Sequence, residues 1–576
     1  MEIDIQQYLN QEIGSVQNVD TKKVSVSVEK EEILNRLKIN DIVVLSGNNA
    51  DEKLIGIVTR VSKKKVEIDE DDEENDEQEY SYNFCNVTLV GTFYKKLFIN
   101  KENIFKRAVN TYPEINSKVY LADGEALSII MNSLETDISS EKRLNIGKYA
   151  SNKTVQAILD GNKFFQRHAI IVGSTGSGKS FTVANILEKA NELNYANIIV
   201  FDLHGEYNEL SYAKQIKICD SDKGLHIPLW FFNYEEIHSL FIESFEGTST
   251  NQRAAVVRYI LQHKKEYIDR NMKGFNPEII TADTPVPFSA MGLKEYLENE
   301  NIKEEATGEV YKTGEKKGQE KTKQGQYYGK LTNLITRIQT KIDDKKYGFV
   351  FNESKTMKSN YLNEFMNEIM GTDNKIKVID LSEIPSDMLS IIIGVVTRLV
   401  YDVQFWMSPG RNETRHPLTF ICDEAHLYMP LDTSKLKSVE NKSLEIFEKI
   451  SKEGRKYGVY LVVVSQRPAE LNSTIISQCN NIISLKIIND RDKSAVATML
   501  TDSLVGLVET LPNLDVGECI IIIIGDSIKL PTKIILDKPK EEPKSSTIDF
   551  WDRWIDGKGT VFDIDSAIQC MIKQAR

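Results

Sequence analysis

The sequence predicts an α/β fold built on a parallel sheet and preceded by a small N-terminal β-barrel. Two observations support this prediction. Short β segments with period-two alternation follow one another from residue 14 to about residue 125, which is typical of a small barrel. From about residue 165, apolar strands alternate with helical segments, and the later strands are predicted at Val459–Ser465 and Asn481–Ile488. This is the pattern of a parallel sheet with helical crossovers.

The composition is that of a globular chain and excludes several other classes. The 576 residues are 41% hydrophobic and 27% charged, and this length predicts roughly two to four domains. The apolar run Cys519–Ile524 is too short to cross a bilayer, and the N-terminus lacks the features of a signal peptide. The six cysteines are scattered without a CxxC pair, which argues against a zinc site and fits a reducing cytoplasm. We therefore expect a cytoplasmic protein without a membrane partner.

Most of the negative net charge of the chain is concentrated in one segment. Residues 66–79 contain ten acidic and no basic residues, and the remaining chain carries only −3 of the formal net charge of −13. Because nucleic-acid binding depends on local charge, the composition neither supports nor excludes DNA. We expect the acidic run to form a solvated loop between two strands. It is either a disordered insertion or a segment that binds a partner or mimics DNA.

The pattern along the chain predicts three domains. Residues 1–135 form the barrel with its acidic loop, residues 136–540 form the α/β domain, and residues 541–576 form a linker and a terminal segment rich in aromatic residues. Within the α/β domain, residues 208–374 are predicted to be a largely helical insertion. Residues 303–326, which contain almost nothing apolar, are predicted to be a flexible loop within that insertion.

An eight-residue glycine-rich motif lies between a predicted strand, His168–Val172, and a predicted helix, Lys179–Asn194. This context identifies a phosphate loop. Its glycines allow backbone N–H groups to approach phosphate oxygens, and the helix N-terminus adds partial positive charge. Lys179 is expected to reach the β- and γ-phosphates of ATP, and the Ser180 hydroxyl is expected to ligate Mg²⁺. The predicted nucleotide-binding residues are Gly173, Ser174, Thr175, Gly176, Ser177, Gly178, Lys179, Ser180 and Phe181.

Two acidic residues, Asp423 and Glu424, follow the predicted strand Leu418–Asp423. In a parallel sheet, the ligand crevice lies at the carboxyl ends of the strands. Asp423 is therefore predicted to hold Mg²⁺, and Glu424 to polarise the attacking water. The alternative is that both residues cap the following helix.

Three further side chains are candidates for the same chemistry. Gln466 ends a predicted strand and could hydrogen-bond the γ-phosphate. Arg455 lies at a helix end, where it could either satisfy the macrodipole or act as an arginine finger in a neighbouring subunit. Asp202 ends the second strand of the α/β domain and either contributes an acid to the crevice or stabilises a plain turn.

Taken together, the motifs resemble the HerA family of hexameric DNA-translocating ATPases in the HerA–FtsK group. The resemblance rests on ordered motifs that cover about residues 165–500: Gly173–Ser180, Phe201–Tyr207, Cys422–His426, Glu453–Gly458, Ser465–Pro468 and Ser477–Asn480. The resemblance implies a RecA-like phosphate-loop ATPase core with a helical insertion, a small preceding barrel and a C-terminal segment that braces a neighbouring subunit.

The resemblance also implies roles for individual residues. Lys179 and Ser180 would act at the phosphates, Asp423 and Glu424 at the metal and the attacking water, and Arg455 as a finger in trans, with a catalytic role for Asp202. Two segments, residues 66–79 and 303–326, depart from the family's shared core. The family further implies a cognate effector enzyme, either a nuclease or an NAD-consuming enzyme, and a role in end processing or antiphage defence.

Two functional hypotheses follow from these observations. In the first, a homohexameric ring uses ATP and Mg²⁺ to drive double-stranded DNA through its pore by phosphate contacts. In the second, an ATP-dependent ring scaffold assembles and activates an effector enzyme with little translocation of its own. Stimulation of ATP hydrolysis by DNA alone would favour the first hypothesis, whereas stimulation that requires a partner would favour the second.

Overall fold

The computed structural model describes most of the chain, which divides into two compact units. The first unit comprises residues 1–193 and 460–546, and the second comprises residues 194–459 and 547–576. The predicted domain boundaries at residues 135 and 540 stay predictions. The described residues are 5–21, 23–47, 51–65, 81–98, 101–107, 109–134, 138–242, 249–313, 315, 317–431, 438–500, 505–523, 533–545, 550–557, 561 and 563–573.

The strands occur along the whole length of both units. In chain order they are β1 (Glu12–Val19), β2 (Val24–Ser27), β3 (Ile42–Ser46), β4 (Glu52–Lys65), β5 (Ser81–Phe98), β6 (Lys101–Lys106), β7 (Lys118–Leu121), β8 (Arg143–Tyr149), β9 (Gln156–Asp160), β10 (Ala169–Val172), β11 (Ile198–Asp202), β12 (Lys214–Lys217), β13 (Glu304–Val310), β14 (Glu320–Gln324), β15 (Ile376–Asp380), β16 (Leu418–Cys422), β17 (Val459–Ser465), β18 (Asn481–Ser484), β19 (Glu518–Ile523) and β20 (Lys533–Leu536).

The α-helices range from one turn to six turns. In chain order they are α1 (Glu31–Arg36), α2 (Gly124–Ser133), α3 (Gly161–Phe165), α4 (Lys179–Asn191), α5 (Tyr234–Phe241), α6 (Ser249–Asn271), α7 (Ala290–Ile302), α8 (Thr332–Asp343), α9 (Gly348–Phe351), α10 (Tyr361–Met370), α11 (Ser386–Trp406), α12 (Ser438–Tyr457), α13 (Ser473–Gln478), α14 (Asp490–Thr498), α15 (Val505–Val508), α16 (Phe550–Asp556) and α17 (Ile564–Lys573).

The predicted N-terminal barrel is confirmed. Six antiparallel strands pair in the order β2-β1-β7-β3-β4-β5, and β5 pairs back onto β2 to close the ring, while β6 extends from β5. Closure removes the free strand edges of the ring. The barrel is filled by side chains at alternate strand positions, including Val24, Val26, Val43, Leu45 and Val87. The predicted acidic loop connects the paired strands β4 and β5, and residues 66–79 themselves lie outside the described residues.

The first unit also contains the strand that precedes the phosphate loop. Strand β10 lies between β17 and β18 and is parallel to both. The sheet continues from β18 through β19, β20, β8 and β9 with antiparallel pairings. All four residues of β10 are buried, as expected for a central strand of a sheet that is covered on both faces. Sequence analysis predicted β10, β17 and β18 but not the antiparallel extension.

The second unit contains a parallel sheet in the order β12-β15-β11-β16. Strands β11 and β16 are buried along their whole length. The long helices α11 and α12 pack together in this unit. Their contact is close at Gly394, where an added Cβ would lie 3.0 Å from the Ser443 Cα atom.

Helix α11 is the one helix in the described part of the chain that is long and apolar enough to cross a membrane, judged by length and composition alone. Two thirds of its most apolar window, 67%, is buried inside the structure. A buried core helix meets the same criterion, so this property is weak evidence for a membrane span. Packing within the second unit buries most of the apolar window of α11.

The predicted helical insertion of residues 208–374 contains helices α5 to α10. It is tied to α11 by a buried ion pair, in which Arg398 Nε and Nη2 donate to Glu236 Oε1 and Oε2 at 2.9 and 2.8 Å. The Nη2 group of Arg398 also donates to the Phe231 carbonyl at 2.7 Å. Glu236 belongs to the capping box of α5 with Asn233. The start of α5 is therefore fixed to the core helix of the second unit.

The prediction of a flexible loop at residues 303–326 is wrong as to secondary structure. Strands β13 and β14 form an antiparallel hairpin whose residues are almost all exposed. Cross-strand ion pairs join Lys321 to Glu309 and Lys323 to Glu305 at 3.0 and 3.7 Å. The hairpin forms without a buried core because opposite charges and backbone hydrogen bonds pair across it.

Candidate active site

The backbone of the phosphate loop requires glycine at three positions. Gly176 and Gly178 have φ values of +75° and +104°, which side chains with a Cβ rarely adopt. A Cβ on Gly173 would lie 2.5 Å from Ser177 Oγ and 2.9 Å from Leu485 Cβ. The loop follows β10 directly and opens α4 at Lys179. The sequence therefore folds here into the strand–loop–helix arrangement that binds phosphate groups.

Three other segments of the first unit hold the phosphate loop in place. Ser174 N donates to the Lys486 carbonyl at 2.8 Å, and Gly517 N donates to the Ser177 carbonyl at 3.3 Å. The Thr175 hydroxyl donates to Gln466 Oε1 at 2.6 Å. Sequence analysis did not identify the contacts of Lys486 and Gly517, because they use backbone atoms and so leave no residue-type signal.

The side chain of Lys179 is buried and folds over the loop that precedes it. Its Nζ donates to the carbonyls of Gly173 and Ser174 at 3.0 and 3.3 Å. The ammonium group is therefore held where the loop closes, which is the place expected for a phosphate-binding lysine. Ser177 Oγ is buried without a hydrogen-bond partner within the described residues. Ser180 is half-buried in the first turn of α4.

Gln466 directly follows β17, and its side chain contacts the phosphate loop. Through its bond with Thr175, it joins the end of β17 to the loop after β10. The next residue, Arg467, donates its backbone N–H to Ser465 Oγ at 3.0 Å and pairs with Glu470 at 3.1 Å. The contact with Thr175 places Gln466 at the phosphate-binding loop. The predicted hydrogen bond to a γ-phosphate stays a prediction.

Carboxylates are gathered at the end of β16 in the second unit. Asp423 is buried, and burial together with the nearby carboxylates of Glu206, Glu424 and Asp202 raises its pKa to about 8. One hydrogen bond, from Glu424 N to Asp423 Oδ1 at 2.9 Å, opposes this rise. Crowded, buried carboxylates are a common feature of functional sites because a bound cation relieves their repulsion.

Asp202 organises the loop that follows β11. Its Oδ1 accepts hydrogen bonds from the backbone N–H groups of His204, Gly205 and Glu206 at 3.2, 2.8 and 3.1 Å, and its Oδ2 accepts from Tyr207 N at 2.9 Å. Burial raises the pKa of Asp202, and these four donors lower it. The structure thus gives Asp202 a clear structural role as the centre of a turn. Its predicted catalytic role stays a prediction.

Glu206 is a candidate site residue that sequence analysis did not single out. The turn around Asp202 places Glu206 close to Asp423, and among the neighbouring carboxylates it has the largest effect on the pKa of Asp423. Its position four residues after Asp202, within the segment Phe201–Tyr207, was the signal that could have identified it.

Glu424 adopts an unusual backbone conformation and lies beside a histidine. Its φ of +44° lies in the left-handed region, which is costly for a residue with a side chain and is found where function requires it. Glu424 Oε2 approaches His426 Nδ1 at 3.3 Å, and both side chains are nearly buried. Tyr428 donates its hydroxyl hydrogen to the Asp423 carbonyl at 2.8 Å. The alternative role of Asp423 and Glu424 as helix caps is not observed, because neither side chain caps the short 3₁₀ turn at Ala425–Leu427.

Arg455 lies in the last turn of α12 and its side chain is exposed. The structure records no hydrogen bond or ion pair for its guanidinium group with any described residue. The helix end itself is fixed by the ring of Tyr457, which packs against Tyr401 and Phe405 with centroid distances of 5.6 and 5.1 Å. A rigid helix end therefore presents an exposed cation to the solvent.

The predicted metal ligands are of the type that Mg²⁺ prefers. No group of three or more His, Cys, Asp or Glu residues within the described ranges is arranged to hold a metal ion by itself. Mg²⁺ does not require such a group, because it usually binds one or two protein oxygens together with water and the phosphates of a nucleotide. The Ser180 hydroxyl and the Asp423 carboxylate are each an oxygen donor of this type, and their predicted role as metal ligands stays a prediction.

Comparison with known proteins supports the same class of site. Residues 144–400 match the family model "Helicase HerA, central domain". The chain is 26% identical over 523 residues to the DNA double-strand break repair helicase HerA of Saccharolobus solfataricus, covering 90% of this chain and 91% of the relative. It is 27% identical over 444 residues to the protein of the same name from Sulfolobus acidocaldarius, covering 77% of each.

A solved structure, VirB4 of Thermoanaerobacter pseudethanolicus, aligns with 69% of this chain and 97% of its own, with 16% identity and a TM-score of 0.43. The family model and the sequence relatives support a phosphate-loop ATPase. The matched residues 144–400 include the phosphate loop and the Asp202 turn, and the relatives extend the match to most of the chain. This chain is therefore a phosphate-loop ATPase with a RecA-like core, and over most of its length it is similar to HerA helicases.

Proposed function

We propose that the protein is an ATP-driven translocase of double-stranded DNA that works as a homohexameric ring. The observation that carries this proposal is the exposed guanidinium of Arg455, which has no partner among the described residues although a complete phosphate loop and a buried carboxylate group are present. An arginine that serves hydrolysis but finds no partner in its own chain is available to the nucleotide of a neighbouring subunit.

Each candidate residue has a separate role in the proposed hydrolysis of ATP. Lys179 and the N–H groups of the phosphate loop hold the β- and γ-phosphates, and Gln466 senses the γ-phosphate through its contact with the loop. Glu424, positioned by His426, orients the attacking water, and Arg455 stabilises the charge that develops on the phosphates of the adjacent subunit. Mg²⁺, held by Ser180 and Asp423, would neutralise phosphate charge when bound.

DNA is proposed as the translocated polymer because the HerA relatives are named as DNA double-strand break repair helicases. We propose that loops in the ring contact the phosphate backbone without sequence preference. We further propose a cytoplasmic role with an effector enzyme, either a nuclease or an NAD-consuming enzyme, in end processing or antiphage defence. The C-terminal segment that contains α16 and α17 is proposed as the brace to the neighbouring subunit.

The shared site is tested by mixing two inactive variants. Lys179→Ala and Arg455→Ala should each abolish ATP hydrolysis while the ring stays assembled. In an equal mixture, a Lys179→Ala subunit still offers Arg455 to the intact phosphate loop of an Arg455→Ala subunit. About a quarter of the interfaces in a randomly mixed ring are then complete, and a corresponding part of the activity should return. Lys452→Ala, one turn before Arg455 on α12, is the matched control and should keep full activity.

Absence of any recovered ATP hydrolysis in a mixture that demonstrably forms mixed rings would overturn the shared site. DNA dependence is measured separately, as the ATPase rate of the natural chain with and without linear duplex DNA. A rise in rate with DNA alone supports the translocase. A rise that requires an effector enzyme, with no effect of DNA, would support the ring scaffold instead.

A further inference from the structure

The end of α11 carries a group of exposed apolar side chains that the proposed chemistry does not use. Trp406 is 78% exposed, and its neighbours Phe405 and Met407 are 40% and 39% exposed. We call these three residues the α11 patch. Isolated exposed apolar residues are common on protein surfaces, so the composition of the patch alone implies no partner. The position of the patch does imply a partner, because the patch is rigidly connected to the helix end that carries Arg455.

The connection between the patch and Arg455 runs through Tyr457. The Phe405 ring lies 5.1 Å from the Tyr457 ring, and the Arg415 guanidinium lies over the Tyr457 ring, 5.4 Å from its centroid. Arg415 also donates to the carbonyls of Gln404 and Phe405 at 2.7 and 3.4 Å. The end of α11 and the last turn of α12 are therefore one rigid corner. A surface that docks on the α11 patch fixes the position of Arg455 at the same time.

The composition of this corner is that of the centre of a protein–protein interface. Tryptophan, arginine and methionine are enriched at such centres, and a few of them usually provide most of the binding energy. Arg455 and Lys456 in the last turn of α12, and Arg411 four residues after Met407, are exposed cations. A cationic corner complements a surface that carries the phosphates of a bound nucleotide.

We propose that the α11 patch docks on a second copy of this chain, next to the phosphate loop of that copy, and that Trp406 anchors the contact. The inference rests on the proposed trans role of Arg455 and names the surface that this role requires. A finger arginine acts only when it is held within about 0.5 Å of its productive position. The α11 patch provides the contact area that a single long side chain lacks.

Tryptophan fluorescence tests the burial of Trp406 directly. The chain has four tryptophans. Trp230 is 2% exposed, whereas Trp551 and Trp554 are 73% and 74% exposed. In a Trp551→Phe/Trp554→Phe chain with ATP analogue and Mg²⁺, Trp406 is the exposed tryptophan that remains. Phenylalanine keeps aromatic rings in α16, and sedimentation velocity verifies that this chain still assembles before its emission is compared. Concentrating this chain from the monomer to the assembled range should shift its emission to shorter wavelength and reduce quenching by acrylamide. Emission and quenching that do not change on assembly would overturn the proposal.

The second measurement uses substitutions in the natural chain. Trp406→Ser should raise the concentration needed for half-maximal assembly by about tenfold or more, as expected for an anchor residue. The ATPase rate per subunit should fall at low protein concentration and recover at high concentration. Tyr195→Ser, which removes a ring that is 77% exposed in the same unit, is the matched control and should change neither quantity. Sedimentation velocity reports assembly, and a thermal melt confirms that both variants fold.

The outcomes separate this inference from the proposed function. If Trp406→Ser assembles and hydrolyses ATP like the natural chain at every concentration, Trp406 does not anchor the contact. The mixing experiment on Lys179 and Arg455 still tests whether two subunits share the active site. If Trp406→Ser assembles normally but loses only its stimulation by DNA, the patch contacts DNA and the proposal is overturned. If the mixing experiment fails while Trp406→Ser weakens assembly, the patch is an interface but Arg455 is not the finger.

Discussion

Asp202 and Asp423 lie at the ends of the neighbouring parallel strands β11 and β16, but their carboxylates differ in the number of hydrogen bonds that they accept. Four backbone N–H groups occupy Asp202, whereas Asp423 accepts one. A carboxylate that is saturated by amides fixes a turn, while one that is buried among other carboxylates is available for a cation or a proton. At the residue scale, position on the sheet therefore identifies both acids as candidates, and the local hydrogen bonds distinguish their roles.

The first prediction concerns Asp202→Asn. The amide retains a single acceptor oxygen, and its NH₂ group faces backbone donors, so at least one buried N–H group loses its partner. We expect the free energy of unfolding to fall by about 1–3 kcal/mol. Chemical denaturation measures the change, with Asp269→Asn on the exposed face of α6 as the control. An unchanged stability of Asp202→Asn would show that the four hydrogen bonds do not hold the turn.

The second prediction concerns the pH dependence that Asp423 causes without Mg²⁺ and nucleotide. The folded chain keeps the proton of Asp423 up to about pH 8, whereas the ordinary pKa is 3.8. Folding therefore binds a proton between these pH values, and the contribution of Asp423 to stability falls as pH rises through this window. Asp423→Asn stays neutral. Its free energy of unfolding should exceed that of the natural chain by a margin that grows from pH 5 to pH 8.

Urea unfolding at four pH values in this range measures that margin. Asp269→Asn is again the control, because an exposed aspartate should give a margin close to zero at every pH. A margin between Asp423→Asn and the natural chain that does not change with pH would contradict the raised pKa of Asp423.

At the scale of elements, the sequence pattern identified the strands and helices whose hydrophobic residues are continuous. The predicted strands His168–Val172, Leu418–Asp423 and Val459–Ser465 correspond to β10, β16 and β17 to within one residue. Such strands are buried on both faces, so their apolar character extends over their whole length. The predicted strand Asn481–Ile488 ends at Ser484 instead, because the following residues leave the sheet to support the phosphate loop through Lys486.

The hairpin of β13 and β14 was not predicted, because its residues are exposed and carry no hydrophobic pattern. Hydrophobic periodicity cannot identify an element that buries nothing, and the cross-strand ion pairs become visible only when the register is known. The candidate site shows the same limit. Motifs predicted Lys179, Asp423 and Glu424, but Glu206 and the contact between Thr175 and Gln466 depend on how separate segments meet in space.

The third prediction is that the hairpin contributes little to stability. Gly325 N donates to the Lys303 carbonyl at 2.9 Å, so a two-residue Asn-Gly turn can replace residues 304–324 without moving the flanking chain. The free energy of unfolding should change by less than about 0.5 kcal/mol, as for other exposed sites. Leu297→Ala, which removes a fully buried side chain of α7, should lower the free energy of unfolding by about 2–5 kcal/mol in the same denaturation assay. A comparable loss on removing the hairpin would refute this prediction.

The fourth prediction concerns the attachment of the helical insertion to α11. Arg398→Met leaves the Glu236 carboxylate buried without its partner, so the free energy of unfolding should fall by about 3–5 kcal/mol. Adding Glu236→Gln removes the unpaired charge while keeping an oxygen for the capping box, and should restore part of the loss. Chemical denaturation of both variants measures their free energies of unfolding. A double variant that is less stable than Arg398→Met alone would show that the charge is not the cause.

At the scale of the whole molecule, a net charge of −13 does not prevent the proposed binding of DNA, because the segment 66–79 accounts for most of it. The fifth prediction follows from phosphate contacts, which release counterions and depend steeply on salt. The DNA concentration that half-saturates ATPase stimulation should rise by about tenfold or more between 50 and 200 mM salt. Basal hydrolysis without DNA is the control. Stimulation that is insensitive to salt or dependent on base sequence would contradict phosphate contacts.

The position of β10 in its sheet has a consequence for biosynthesis. This strand pairs on its two sides with β17 and β18, which are encoded some 290 and 310 residues later in the chain. Contacts between such distant segments form slowly and late. A nascent chain that has emerged only as far as α12 carries the glycine-rich loop but not its flanking strands, and it should not yet retain nucleotide. Ribosome-bound chains of increasing length, tested for retention of a labelled ATP analogue, would therefore gain this ability abruptly once residue 484 has left the exit tunnel.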